Sequence, residues 1–177
     1  AFGDGPIGKT MPGYDALVQA VSGMMSFTGS PDSPTIRIAP SILDLSTGMW
    51  TAMGLLAAIL RRNTSGEAEH IRPSLIDSAF TMMNHQLLGM LATGQPPEKL
   101  GSGAPSAAPY GVFKASNGEL LIATASEQQF PRLCKALGLD TLIEDVRFRT
   151  MVDRLQHREP LDLAIAAVIN LQTVEHW

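Results

Sequence analysis

Residues 45–63, LSTGMWTAMGLLAAILRRN, follow directly on Asp44 and are apolar almost all round, with Gly48, Ala52, Gly54, Ala57 and Ala58 interspersed. Apolar residues on every face predict a buried helix, and the small ones let neighbouring elements approach closely. Arg61 and Arg62 in its last turn suit the negative end of the helix dipole, and Gly66 lies just beyond as a stop. Upstream, Gly and Pro crowd residues 1–13, after which Leu17, Val18, Val21, Met24 and Met25 recur at helical spacing until Gly29 and Pro31. Thr35–Ile38 is a short strand candidate ended by Pro40.

Downstream, a second long helix is expected from Leu75 to Ala92, and the Gly/Pro/Ser-rich stretch that follows marks a boundary. This divides the chain into residues 1–95, a linker over 96–109 and a second part over 110–177. There the texture changes. YGVFKA and ELLIAT flank Asn117-Gly118, a pair that tolerates positive φ and so predicts a hairpin. Ser126 and Gln129 resemble a capping box, and Phe130, Leu133, Cys134 and Leu137 form one helical face ending at Gly138, although Pro131 interrupts it.

The 177 residues are 45% hydrophobic, 17% charged and 6% aromatic, which excludes a disordered, fibrous or disulfide-built chain. A net charge of −4 supplies no basic field, so nucleic acid is not an expected partner. The single cysteine, Cys134, fits a reducing compartment and offers no zinc cluster. Its place on an apolar helical face makes it a buried thiol. His70, His85, His157 and His176 share no metal-ligand spacing, and His85 reads as a core or interface histidine. The longest apolar stretch, Met49–Leu60, is interrupted by Thr51 and Gly54 and is shorter than the roughly 20 residues a bilayer span needs. A cytoplasmic protein without a membrane partner is therefore expected. The chain opens at Ala1 without Met and stops at Trp177 inside a helix-like run whose apolar residues extend from Leu161 to Val174, so both ends read as cut from something longer.

Gly3–Thr10, GDGPIGKT, satisfies the phosphate-loop pattern G-x-x-x-x-G-K-[ST]. That mechanism needs a strand before the loop and a helix beginning at the lysine, whose amides cradle phosphate. Only Ala1 and Phe2 precede the loop, and Pro12-Gly13 follow almost at once. A Gly/Pro-rich surface connection is the better reading, with an inactive structural or phosphate-loop nucleotide-binding fragment kept as an alternative.

PGYDALVQAVSGMMSFTG (12–29), DLSTGMWTAMGLLAAIL (44–60) and APYGVFKASNGELLIAT (108–124) together resemble the family III coenzyme A transferases. The same resemblance extends to SLIDSA (74–79), the Leu133-Cys134 helix and RFRTMVDRLQHRE (147–159). Formyl-CoA transferase, carnitine CoA-transferase and the 2-methylacyl-CoA racemases are of this group. The resemblance implies an α/β chain of about half the family's length: part of a Rossmann-like nucleotide-fold domain, a linker, and part of a smaller α+β domain. It further implies exchange of CoA between an acyl-CoA and a free carboxylic acid, an interlocked homodimer, and coenzyme A as the carrier without a metal.

On that resemblance Asp44 occupies the nucleophile position. A carboxylate can attack a thioester to give a mixed anhydride, then take up CoA as a thioester. A helix beginning at Leu45 would favour its charged form through free amides and the dipole. The alternative is that Asp44 is only an N-cap, worth about 1 kcal/mol. Tyr14 stands where the racemases have His, and a phenol of reference pKa near 10 is a poor base at neutral pH. Transferase is favoured over racemase for that reason, with the Tyr14 hydroxyl a hydrogen-bond donor to the thioester or acyl group, or else a half-buried aromatic at a helix start. Gly101 and Gly103 fall on a Gly-bearing loop that in relatives shields the acyl-enzyme from water, or else form a plain connection. Two departures from the family pattern are Ala104, where many relatives have His, and Met11, where many have Arg near the CoA phosphates; Lys9 is the available substitute.

Overall fold

The computed structural model describes residues 1–6 and 8–177; the phosphate-loop pattern therefore lies partly outside the described residues, at Ile7. It divides into two compact units, Ala1–Lys99 and Leu100–Trp177. The chain is mixed α/β and mostly helical, with one two-stranded sheet.

The first unit contains α1 (Asp15–Val21), α2 (Ile42–Ser65), α3 (Leu75–Met82) and α4 (Asn84–Thr93), and no strand among the described residues. Val18, Met24, Leu43, Ala79 and Met83 form its core, with Phe2, Phe27, Ile38, Ile42, Leu75, Ile76 and Leu87 packed around them. α1 ends before Met24 because Gly23 adopts φ +85°, and a 3-10 turn over Met24–Ser26 follows. The helix expected over Leu75–Ala92 is two helices, broken where Met83 (φ −96°, ψ 12°) leaves helical geometry and buries its side chain. Ser74 caps α3 by accepting from the Asp77 amide. Thr35–Ile38 is not a strand. It has no neighbouring strand, and Gln19 takes its place as the partner of Ile38, accepting from the Ile38 amide at 2.8 Å and donating to its carbonyl at 3.3 Å.

Helix α2 begins at Ile42 rather than Leu45 and ends at Gly66, whose φ of +77° suits glycine. The expectation of a buried helix fails: only Leu43, Ser46 and Ala58 are buried, while Leu45, Met49, Trp50, Met53, Leu55, Leu56, Ile59 and Leu60 are exposed. Short α1 and α3 cover one stripe of a 24-residue helix and leave its other faces uncovered within this chain. By length and composition alone α2 is long and apolar enough to cross a membrane, against the shorter span counted from Met49 to Leu60. Core helices share that property, so it assigns no location.

In the second unit β1 (Tyr110–Lys114) pairs antiparallel with β2 (Glu119–Ala123), Lys114 opposite Glu119. The expected hairpin forms. Its Asn117 does not take positive φ; its side chain instead accepts from the Val174 amide at 2.8 Å and donates to Glu175 at 2.9 Å. After the hairpin come α5 (Gln129–Leu137), α6 (Thr141–Glu144), α7 (Met151–Gln156) and α8 (Arg158–Ile169). Pro131 sits in the first turn of α5, where a missing amide costs nothing. Half of the expected capping box is present: Gln129 reaches back to the Ala125 and Ser126 amides, whereas the Ser126 hydroxyl makes no cap. A complete box stands at Thr150/Asp153. Ala108, Phe113, Ala115, Ile122, Phe130, Cys134, Leu137, Phe148, Leu161, Ile165 and Ile169 make the core, confirming Cys134 as buried.

Candidate active site

Asp44 lies in the first turn of α2, with its carboxylate exposed and accepting no hydrogen bond among the described residues. The capping duty belongs to another residue. Ser41 precedes the helix but makes no side-chain cap. Asp15, at the start of α1 and 6% exposed, reaches across instead: its Oδ2 accepts from the Leu43 amide at 2.7 Å and the Asp44 amide at 3.3 Å. Its Oδ1 accepts from Gln19 Nε2 at 2.6 Å. A buried carboxylate is tolerable only when its oxygens are supplied with donors, and here three are. The carbonyl side of the same turn is also held, because Thr47 Oγ1 donates to the Leu43 carbonyl at 2.6 Å and hydrogen-bonds Ser78 Oγ at 2.7 Å.

Tyr14 directly precedes Asp15, so the start of α1 meets the start of α2 here. Its ring is 72% exposed, more open than a half-buried aromatic. Gly101 and Gly103 belong to the second unit. Gly101 has φ +59°, and a Cβ on Gly103 would stand 2.9 Å from the Leu100 carbonyl oxygen, so both glycines are needed by the turn they form. That segment is tied down rather than loose. Ser102 Oγ accepts from the Val112 amide at 2.7 Å, and Arg158 donates to the carbonyls of Ala104 and Ala107.

Lys9 is exposed in a 3-10 turn of three residues, and no α-helix begins there. Its amide is spent on the Gly5 carbonyl, which leaves no phosphate cradle of the pattern's kind at that amide. With Asp4, His70 and Arg72 it lines an open polar cleft of ≈ 510 Å³, where Arg72 pairs with Asp4 at 2.9 Å. A second cleft, ≈ 200 Å³, is lined by Trp50, Pro73, Ser74, Asp77, Ser78 and Thr81 and does not include Asp44. His85 is exposed, not in the core. Among the described residues no three His, Cys, Asp or Glu side chains are grouped so as to hold a metal ion.

Two features escaped the sequence. Asp15 and Gln19 stand one helical turn apart, the spacing at which side chains on a helix meet, and a polar pair flanking apolar Val18 was the available signal. Arg154 is fully buried and donates to the Ala108 and Phe148 carbonyls at 2.9 and 3.0 Å. It also pairs with Glu127 at 2.9 Å and lies 4.5 Å from the Phe130 ring centre. One Arg among several in a charged helical stretch reads as a solvated face.

The model of CoA-transferase family III matches residues 1–177, and the chain belongs to that family. It is 34% identical over 167 residues to the acetyl-CoA:oxalate CoA-transferase of Acetobacter aceti, covering 94% of this chain and 43% of that one. It is 32% identical over 163 residues to the succinate–glutarate CoA-transferase of Agrobacterium fabrum, covering 92% and 40%. The chain thus spans about two-fifths of these curated relatives. Among solved structures, a CaiB/BaiF family protein from Brucella suis superposes with TM-score 0.77 at 30% identity, over 99% of this chain and 46% of that one. Rv3272 from Mycobacterium tuberculosis gives 0.84 at 25% identity, over 100% and 46%.

Proposed function

We propose that the protein carrying this chain is a CoA-transferase that moves CoA from an acyl-CoA to a free carboxylic acid, with Asp44 as its nucleophile. The observation that carries this reading is an exposed carboxylate in the first turn of α2, without a partner among the described residues and freed from capping by Asp15. In the first step an Asp44 oxygen attacks the thioester carbonyl, forming an aspartyl–acyl anhydride and releasing CoA thiolate. The thiolate attacks the aspartyl carbonyl of the anhydride, giving an aspartyl–CoA thioester and the free donor acid. The acceptor carboxylate then attacks this thioester, and the returning thiolate takes the new acyl group, which regenerates Asp44. One thioester replaces another, so the step needs no outside source of energy.

Tyr14, next to Asp15 in the chain and 72% exposed, carries a hydroxyl of the kind that could donate to the oxyanion developing at the thioester carbonyl. Lys9, in the polar cleft lined also by Asp4, His70 and Arg72, is the cation assigned to the CoA phosphates. The family resemblance assigns the turn at Gly101 and Gly103 to shielding the acyl-enzyme from water. The first unit is part of the Rossmann-like domain of a cytoplasmic, interlocked homodimer, and this part rests on the family resemblance alone. Short dicarboxylic acids are the acceptors to try first, since oxalate and glutarate occur in the names of relatives.

The experiment is incubation of the intact polypeptide with an acyl-CoA, followed by hydroxylamine and peptide mass analysis. A hydroxamate on Asp44 is expected, and Asp44→Ala should lose transfer entirely. Transfer by a folded Asp44→Ala protein overturns the reading, and α-proton exchange in deuterium oxide without any acceptor acid would indicate the racemase chemistry instead.

A further inference from the structure

Two carboxylates meet at the mouth of α2, and they are treated in opposite ways. Asp44 is exposed and has no partner among the described residues, while Asp15 is buried and takes donors on both oxygens. A helix end can be capped by a neighbour in sequence, and Ser41 is in place to do so. Its side chain is unused, and the cap comes from a different helix. Such a cap joins elements distant in sequence, so it constrains where the helix mouth sits as well as satisfying its amides.

We propose that Asp15, braced by Gln19, is the positioning residue for Asp44. This rests on the reading of Asp44 as nucleophile. The Asp15 carboxylate bonds the amide of Asp44 itself, so the backbone that carries the nucleophile is fixed to the start of α1, where Tyr14 stands. Gln19 holds the Asp15 carboxylate in that orientation. Its own amide is fully committed, donating to Asp15 and to the Ile38 carbonyl while accepting from the Ile38 amide. Gln19 is 0% exposed, so water does not substitute for it. Errors of about 1 Å in the placement of a reacting group cost on the order of 100-fold in rate, which is the scale on which this bracing acts.

The orientation of the network yields a specific test. Asp15→Asn places an NH2 group opposite the Gln19 NH2 group, and Gln19 cannot turn over without setting a donor against the Ile38 amide. Adding Gln19→Glu restores an acceptor for the new side-chain amide at position 15 while still accepting from Ile38 at 2.8 Å, and gives up the longer, 3.3 Å bond to the Ile38 carbonyl, so the rescue is partial. In the intact polypeptide, Asp15→Asn should lower kcat for transfer, and the rate of Asp44 acylation, about 10- to 100-fold. The KM for acyl-CoA should move less than about 3-fold, because the bound ground state is not touched. The double variant with Gln19→Glu should recover at least about 3-fold of the loss, a reversal that general loosening of the fold does not produce. An unchanged kcat in folded Asp15→Asn overturns the proposal, as do a parallel rise in KM or a double variant no faster than the single one. If Asp15→Asn does not fold, Asp15→Glu decides: a lowered kcat at constant KM supports the proposal and an unchanged kcat overturns it. Activity surviving in Asp44→Ala strikes the nucleophile reading itself, whereas normal Asp15 variants beside an inactive Asp44→Ala strike only this inference.

Discussion

Replacing Arg154 by Met keeps most of the side-chain length and removes every donor. In the second unit the guanidinium Nε and Nη1 supply the carbonyls of Ala108, which is fully buried, and Phe148, which is 1% exposed. Each carbonyl left buried without a partner costs about 1–3 kcal/mol. Loss of the stack on Phe130 adds about 1 kcal/mol in this desolvated position, and removing a buried charge returns part of the total. The expected net destabilisation is about 4 kcal/mol, or roughly 20 °C in Tm for a unit of this size. The ion pair with Glu127 is the wrong place to look for that energy, because the Glu127 side chain is 57% exposed. Glu127→Gln should cost no more than about 1 kcal/mol, since a glutamine oxygen can still accept from the Met151 amide. Urea unfolding of the whole chain followed by circular dichroism, with amide hydrogen exchange read along β1, β2 and α8, measures both and locates them. The reasoning is refuted if Arg154→Met lies within about 1 kcal/mol of the unsubstituted chain, or if Glu127→Gln is as damaging.

Three further outcomes are expected. Burial pushes the Cys134 thiol up to about 11, so at pH 8 it should resist iodoacetamide in the folded chain and react readily in urea; rapid labelling of native protein would contradict this. The side chain and backbone amide of Arg147 hold Asp145 at about 2. Because the folded value is depressed, its stabilising contribution is present above the ordinary value of 3.8 and is lost as pH falls toward about 2; carbon NMR titration should show Asp145 rising part of the way toward the ordinary carboxylate range in Arg147→Gln, which keeps the backbone amide bond. Thr150→Ala removes the reciprocal capping box of α7 and should cost about 1 kcal/mol by thermal unfolding, with Thr150→Ser close to neutral.

Local chemistry was legible wherever it is decided within a few residues. Gly66 and Gly138 stop α2 and α5 because each accepts positive φ, and the runs on either side of Asn117-Gly118 pair because alternating apolar strands joined by a tight turn have few other options. Family membership was legible for the same reason, in blocks spread along the whole chain. Asp44 was visible as one carboxylate before an apolar helix, with capping and nucleophilic roles both open.

What remained hidden depends on partners distant in sequence. Periodicity could not say that Ile38 would satisfy its backbone on Gln19 instead of a strand, or that α2 would find cover along only one stripe. An acidic residue and an arginine look solvated in a sequence; only the packing of α1 against α2, and of α7 against Phe130 and the Ala108 carbonyl, turns Asp15 and Arg154 into buried hubs. The amino-acid order determined the helix stops at Gly66 and Gly138, the hairpin and the family, because those follow from short-range sterics and patterning. Tertiary structure decided which aspartate caps the helix and which is left free, because a hydrogen bond between residues 15 and 43 exists only once the chain has folded back on itself.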